Sequence, residues 1–105
     1  MKNNKAVYQN VLQMIGKTPL IKLNNSVKNF SGKYFAKYEA HNPGHSSKDR
    51  ISLYIIEKLE KTGILKLGST IIETTSGNTG FSLAMVSIIK GYECVLAVTS
   101  KSSRD

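Results

Sequence analysis

Two short stretches hold the side chains best placed to do chemistry. In "HNPGHSSKDR", residues 41 to 50, an Asn-Pro-Gly turn and a pair of serines lead to Lys48, just ahead of an apolar run. A lysine in the first turn of a helix faces the positive end of the macrodipole, a poor place for a surface cation. That field, with partial burial and Arg50 nearby, favours the neutral amine, which can attack a carbonyl carbon and form a Schiff base. The plainer reading of Lys48 is an exposed, solvated lysine. In "TTSGNTG", residues 74 to 80, Gly77 permits close backbone approach, while Thr75, Ser76 and Thr79 offer hydroxyls. If a helix starts there, its unpaired N–H groups and partial positive charge suit a carboxylate or phosphate. A helix cap alone needs one such side chain, whereas this loop offers several in succession. The loop matches neither the G-x-G-x-x-G nor the G-x-x-x-x-G-K-[ST] pattern, so dinucleotide and nucleoside-triphosphate readings gain no support.

The elements that must position these groups follow from periodicity. "AVYQNVLQMI" places Val7, Val11 and Met14 or Ile15 at helical spacing, a short amphipathic arm ended by Gly16. "TPLIKLNN" and "YFAKYEAH" read as strands joined by a polar connection that turns at Gly32. Ser46 and Asp49 form an S-x-x-D capping box before a helix with Ile51, Ile55 and Leu59 at spacing four. Glu57 and Lys61 would pair along it, and Gly63 would end it. "TIIETT" (70 to 75) is a short buried strand, residues 77 to 90 an apolar helix closed by Gly91, and "CVLAVT" (94 to 99) a second buried strand. Strand, helix and strand at this spacing make a βαβ unit with parallel strands and a right-handed crossover, so the class is α/β with helices on both faces. Ligands of such sheets bind beyond the carboxyl ends of the strands, where residues 74 to 80 fall.

Composition narrows the field. A chain of 105 residues with 40% apolar content is the size of one small domain. No run approaches the roughly 18 apolar residues of a membrane span. The opening "MKNNKAVYQNVLQMIG" lacks the apolar block of a secretory signal, and no arginine precedes Arg50, so a cytoplasmic location is expected. Cys94 is the single cysteine, which leaves no internal disulfide and no thiolate metal site. The net charge of +8 is spread from Lys2 to Lys101 without a dense run or interleaved aromatics, as on a solvated surface, and nucleic-acid binding is the weakest of the readings.

"NPGHSSKDR" followed after one helix by "IIETTSGNTG" resembles the fold-type II pyridoxal-phosphate enzymes, specifically the cysteine synthase and cystathionine β-synthase family. "IGKTPLIKLN", "EKTGILKLGSTIIE" and "AMVSIIKGYECVLAVTSKSSRD" extend the resemblance from Ile15 to Asp105. It implies the tryptophan synthase β-like α/β architecture, incomplete here, with residues 1–35 contributing to a large domain and 36–105 forming part of a small, substrate-closing one. By the same resemblance Lys48 would hold pyridoxal 5'-phosphate as an internal aldimine and act as base or acid at the substrate's α-carbon. Asn78 would meet the cofactor's ring hydroxyl oxygen, and Thr75, Ser76, Gly77, Asn78 and Thr79 would grip the substrate α-carboxylate. The implied reaction is β-replacement on serine or O-activated serine through an aminoacrylate. Sulfide would give cysteine and homocysteine would give cystathionine, in a cytoplasmic homodimer that binds neither nucleic acid nor membrane.

Three positions depart from the family pattern. His45 and Ser47 stand where glycine and an apolar residue are more usual, and Thr74 where proline is usual. His45 is read as a loop residue without a catalytic role. The phosphate-cradling loop and the residue that meets the pyridine nitrogen belong to a later part of the family's chain and are not found here. The resemblance therefore implies the front portion of such an enzyme. The alternative is a catalytically inactive fragment or a partner-binding remnant.

Overall fold

A computed structural model describes residues 7–75 and 77–101. The first element is a single 3-10 turn, Val11–Met14, opened by the Asn10 side chain, which accepts the Leu12 N–H at 3.0 Å. The amphipathic α-helical arm expected here does not form. About ten residues are too few to repay helix nucleation, and Gly16, at φ +84°, turns the chain away. Strand β1, Leu20–Leu23, pairs antiparallel with β2, Tyr34–Lys37, in a register that sets Leu20 opposite Lys37 and Leu23 opposite Tyr34. A 3-10 turn, Asn25–Val27, and Gly32 at φ +104° shape their connection.

Helix α1 spans Lys48–Lys61, and the chain leaves it through Thr62 and Gly63, the latter at φ +75°. Two local expectations fail here for one reason: a partner distant in sequence takes the group. The Ser46–Asp49 capping box is not made. Ser46 Oγ accepts the Lys48 N–H at 3.2 Å, while the Asp49 carboxylate turns inward to accept from the Gly44 N–H and the Ser82 hydroxyl. Likewise Glu57 lies 4.0 Å from Lys90 instead of pairing with Lys61.

The βαβ unit forms as expected. Strands β3, Thr70–Thr74, and β4, Glu93–Ala97, are parallel, with Ile71 opposite Cys94 and Ile72 opposite Val95, and helix α2, Asn78–Lys90, connects them. Gly91 closes α2 in the left-handed conformation, and its N–H reaches the Ser87 and Ile88 carbonyls. Alternation along the strands turns Ile71 and Cys94 toward α2. Ile56 of α1 and Leu83 and Val86 of α2 form the buried centre, packed by Leu12, Ile15, Leu53 and Tyr92 among others. Each such side chain contributes about 1.5–3 kcal/mol by leaving water.

Helices do not cover both faces of this sheet. Helix α2 occupies one face and α1 packs on α2, while the opposite face leaves Ile72 72% and Val95 52% exposed. Among the described residues no helix is long and apolar enough to cross a membrane.

Candidate functional site

The turn before α1 is built around Asn42, which is almost wholly buried. Its Oδ1 accepts the Gly16 N–H at 2.8 Å, and its Nδ2 reaches the Glu39 carbonyl and carboxylate at 2.9 and 2.7 Å and the Ser46 carbonyl at 3.0 Å. One amide thus ties the amino-terminal arm, the 3-10 turn Glu39–His41 and the serine pair into one frame. Arg50 closes the frame from α1. Its guanidinium grips Glu39 through Nε and Nη2, at 2.9 and 2.8 Å, and Nη2 also reaches Thr18 Oγ1 and the Gly16 carbonyl. A two-pronged Arg–carboxylate contact fixes orientation as well as distance. The Arg50 hydrogen bonds hold the Glu39 carboxyl down at about 2, helped by Asn42 and Thr18 against the opposing effect of desolvation. Glu39 in turn raises the Arg50 guanidinium.

Lys48 is the first residue of α1 and is half-buried, and its ammonium makes no hydrogen bond or ion pair with the described residues. It follows directly from the framed turn, so its main chain is fixed while its amine is uncommitted.

The second stretch begins where β3 ends. The Thr75 N–H bonds the Ala97 carbonyl at 3.0 Å and extends the pairing beyond the strands, while Thr75 Oγ1 accepts the N–H of Gly80 at 3.0 Å and of Gly77 at 3.4 Å. Gly77 is the N-cap residue of α2, and Thr75, two residues earlier, satisfies the first-turn N–H of Gly80; Gly80 is required beneath it, since a Cβ there would overlap the Thr75 methyl. Gly77 supplies the carbonyl that accepts from Phe81 N–H at 3.2 Å. The main-chain N–H groups of Asn78 and Thr79, and both side chains, have no hydrogen-bond partner among the described residues, leaving donors open at the positive end of α2. Ser76 lies outside the described residues.

The two stretches come to the same end of the molecule because α1 and α2 run parallel. Near their starts Asp49 meets Ser82, and near their ends Lys90 meets Glu60 at 3.1 Å. Lys48 and the 77–79 turn therefore share the end at which β3 and β4 finish. Of the concave surfaces along Tyr54, Glu57, Lys58 and Lys61 and along Phe81, Ala84, Met85, Ile88 and Ile89, neither is lined by Lys48 or by the 77–79 turn.

Three features of the site escaped sequence reasoning. His45 holds φ +61°, the left-handed region, so the glycine more usual at this position has a conformational reason there. Asp49 is wholly buried and reaches across to α2. Ser82, a buried hydroxyl on α2, is its partner, and a polar residue amid "GFSLAMV" was the available signal.

A parallel βαβ unit with an open-donor turn beside the lysine-bearing helix defines a class of α/β enzyme fragments, and comparison with known proteins makes the class specific. The family model "Pyridoxal-phosphate dependent enzyme" matches residues 11–105, and the chain belongs to that family. It is 48% identical over 99 residues to cystathionine beta-synthase of Apis mellifera, covering 92% of this chain and 20% of that one. It is 47% identical over 96 residues to cysteine synthase of Staphylococcus aureus, covering 91% and 31%. Among solved structures, cysteine synthase from Entamoeba histolytica superposes with a TM-score of 0.91 at 36% identity, over 99% of this chain and 32% of that one. A hydrogen sulfide-producing enzyme from Fusobacterium nucleatum gives 0.90 at 41% identity, over 94% and 32%. The fold is that of the fold-type II enzymes, and the chain spans less than a third of the length of these relatives.

Proposed function

We propose that the chain supplies the cofactor-anchoring lysine and the substrate-carboxylate turn of an enzyme of β-replacement on serine or O-activated serine, yielding cysteine or cystathionine. The observation that carries this reading is the uncommitted half-buried Lys48 at the same end of the parallel helix pair as the open donors of Asn78 and Thr79. Curated relatives that are a cysteine synthase and a cystathionine beta-synthase support the chemistry.

The residues fit pyridoxal 5'-phosphate in what they offer. Lys48 gives a primary amine on a fixed main chain, and Asn78 gives an amide side chain for the ring hydroxyl oxygen. Bound there, the cofactor would supply an electron sink for charge developing at the substrate's α-carbon. The rest is work for this chain's own groups. Thr75, Ser76, Gly77, Asn78 and Thr79 bind the substrate carboxylate by hydroxyl and main-chain donors at the head of α2, where the helix field favours an anion. With the carboxylate held, the α-proton is presented to one side, and the Lys48 amine accepts it and returns a proton to the same carbon. Residues 36–105 act as part of the small domain that closes over the carboxylate and excludes water, and 1–35 as part of the large one. The complete enzyme is a cytoplasmic homodimer in this reading.

Reduction with borohydride in the presence of pyridoxal phosphate, followed by peptide mapping, tests the assignment. A pyridoxyl group on Lys48, in preference to the other lysines, is the expected outcome. Uniform labelling of exposed lysines, in a sample whose helix content is intact, would instead favour a catalytically inactive fragment.

A further inference from the structure

One buried contact joins the two halves of the proposed site. Asp49 follows Lys48 directly and is 0% exposed, as is Ser82 on the second turn of α2. Asp49 Oδ1 accepts the Ser82 hydroxyl at 2.5 Å, and Oδ2 accepts the Gly44 N–H at 2.5 Å. A single carboxylate therefore spans the Asn-Pro-Gly turn, the lysine-bearing first turn of α1 and the head of α2. The space around it is filled, since a Cβ on Gly44 would overlap the carboxylate. Ser52, the next buried polar residue along α1, makes no hydrogen bond among the described residues, so it does not share the task. A buried carboxylate is costly unless fully bonded, and its charge-assisted bonds are short and directional.

We propose that Asp49 is a positioning residue whose buried carboxylate, by bonding Ser82 and Gly44 together, holds the Lys48 turn in register with the carboxylate-binding turn at the head of α2. This rests on the function proposed above, because register matters only if the two stretches act on one substrate. Small displacements of a reacting group are expensive in rate, on the order of a hundredfold per ångström, and Lys48, placed by one turn of helix, moves with Asp49. Asp49 touches neither substrate nor cofactor in this scheme and acts through Lys48.

Three variants of the 105-residue chain test it: Ser82→Ala, Asp49→Ala and Asp49→Asn. Asparagine can accept from Gly44 and donate to Ser82, so it restores both bonds without the charge. The first readout is reductive pyridoxylation of Lys48 divided by that of Lys61, an exposed lysine at the far end of α1 that corrects for general reactivity. Ser82→Ala and Asp49→Ala should lower this ratio about tenfold, with Asp49→Asn close to the parent. The second readout needs no cofactor: hydrogen exchange at the Gly44 amide should quicken in Ser82→Ala, although the two residues are far apart in sequence. A labelling ratio in Ser82→Ala within about twofold of the parent overturns the proposal, whatever happens at Gly44. Should Asp49→Ala fail to fold, Ser82→Ala still decides, because it keeps the Asp49 carboxylate and changes the buried volume little. If Lys48 of the parent takes no label, the proposed function falls. The Gly44 exchange rate alone then decides whether the clasp couples the two turns.

Discussion

At the scale of single residues, His45 is the point among the described residues where a side chain other than glycine's sits on left-handed backbone. Its φ of +61° places Cβ against the adjacent carbonyl, at a cost of roughly 1–2 kcal/mol for a residue other than glycine. His45 is exposed, so little packing offsets that cost. Glycine would relieve the strain but would enlarge the entropy of the unfolded chain by about 0.4–1 kcal/mol. His45→Gly should therefore raise stability by about 0.5–1 kcal/mol, a rise in Tm of a few degrees for a domain of this size. His45→Ala keeps both the Cβ and the strain, so it should gain nothing. Paired thermal melts of the two variants check the assignment of the gain to φ and not to loss of the imidazole.

At the scale of elements, the frame around α1 depends on Glu39 and Arg50 being charged. The Glu39 carboxyl lies at about 2 in the folded chain against an ordinary 4.5, chiefly through its Arg50 hydrogen bonds. Because the folded value is the lower one, the contribution is fully present above about 4.5 and is lost as the pH falls toward 2. Both side chains are partly exposed, so salt should weaken the effect. Denaturant titrations at successive pH values should show the parent losing stability through this window, while Glu39→Gln, which cannot titrate, should be less stable at neutral pH and flatter below it. Parallel slopes for the two proteins would refute the role given to Glu39.

The same scale shows which elements were legible in the sequence. The β3–α2–β4 unit was, because its signals are local: two short apolar runs, an apolar helix between them, and Gly91 to close it. Parallel pairing follows from chain direction once those elements exist. The fates of Asp49 and Glu57 were not legible, because an S-x-x-D pattern or an i,i+4 pair reads the same whether a carboxylate turns to its own helix or to a residue some thirty positions on. The arm before Gly16 failed for a different reason: about ten residues could not sustain a helix. With the 3-10 turn that forms instead, Val7, Val11 and Met14 of the expected stripe stay exposed while Leu12 and Ile15 reach the core. As for the site, the lysine and the hydroxyl-rich turn were visible as separate chemical possibilities, and only a family resemblance connected them. The parallel run of α1 and α2, which gives the connection a physical basis, rests on contacts that no local pattern encodes.

At the scale of the whole molecule, apolar surface outweighs the core. Only Ile56, Leu83 and Val86 are buried apolar side chains among the described residues, while Ile88 is 74% exposed beside Phe81 on α2 and Ile72 and Val95 lie open on the sheet. Both sheets have two strands, so each also presents unpaired edges. Apolar faces of this kind drive association, and the net charge of +8 opposes it by repulsion between copies. These two effects respond to salt in opposite ways. Near 1 M salt the Debye length shrinks to roughly 3 Å, so charge repulsion is nearly removed while the apolar attraction persists. The 105-residue chain should therefore change from small species at low ionic strength to larger assemblies at high ionic strength, as followed by sedimentation velocity. Ile72→Lys with Ile88→Lys, which places charge on both apolar faces without touching Lys48 or the 75–79 turn, should suppress the high-salt species. If the parent keeps one mass across the whole salt range, or if the double variant assembles equally well, the exposed faces are not what brings copies together.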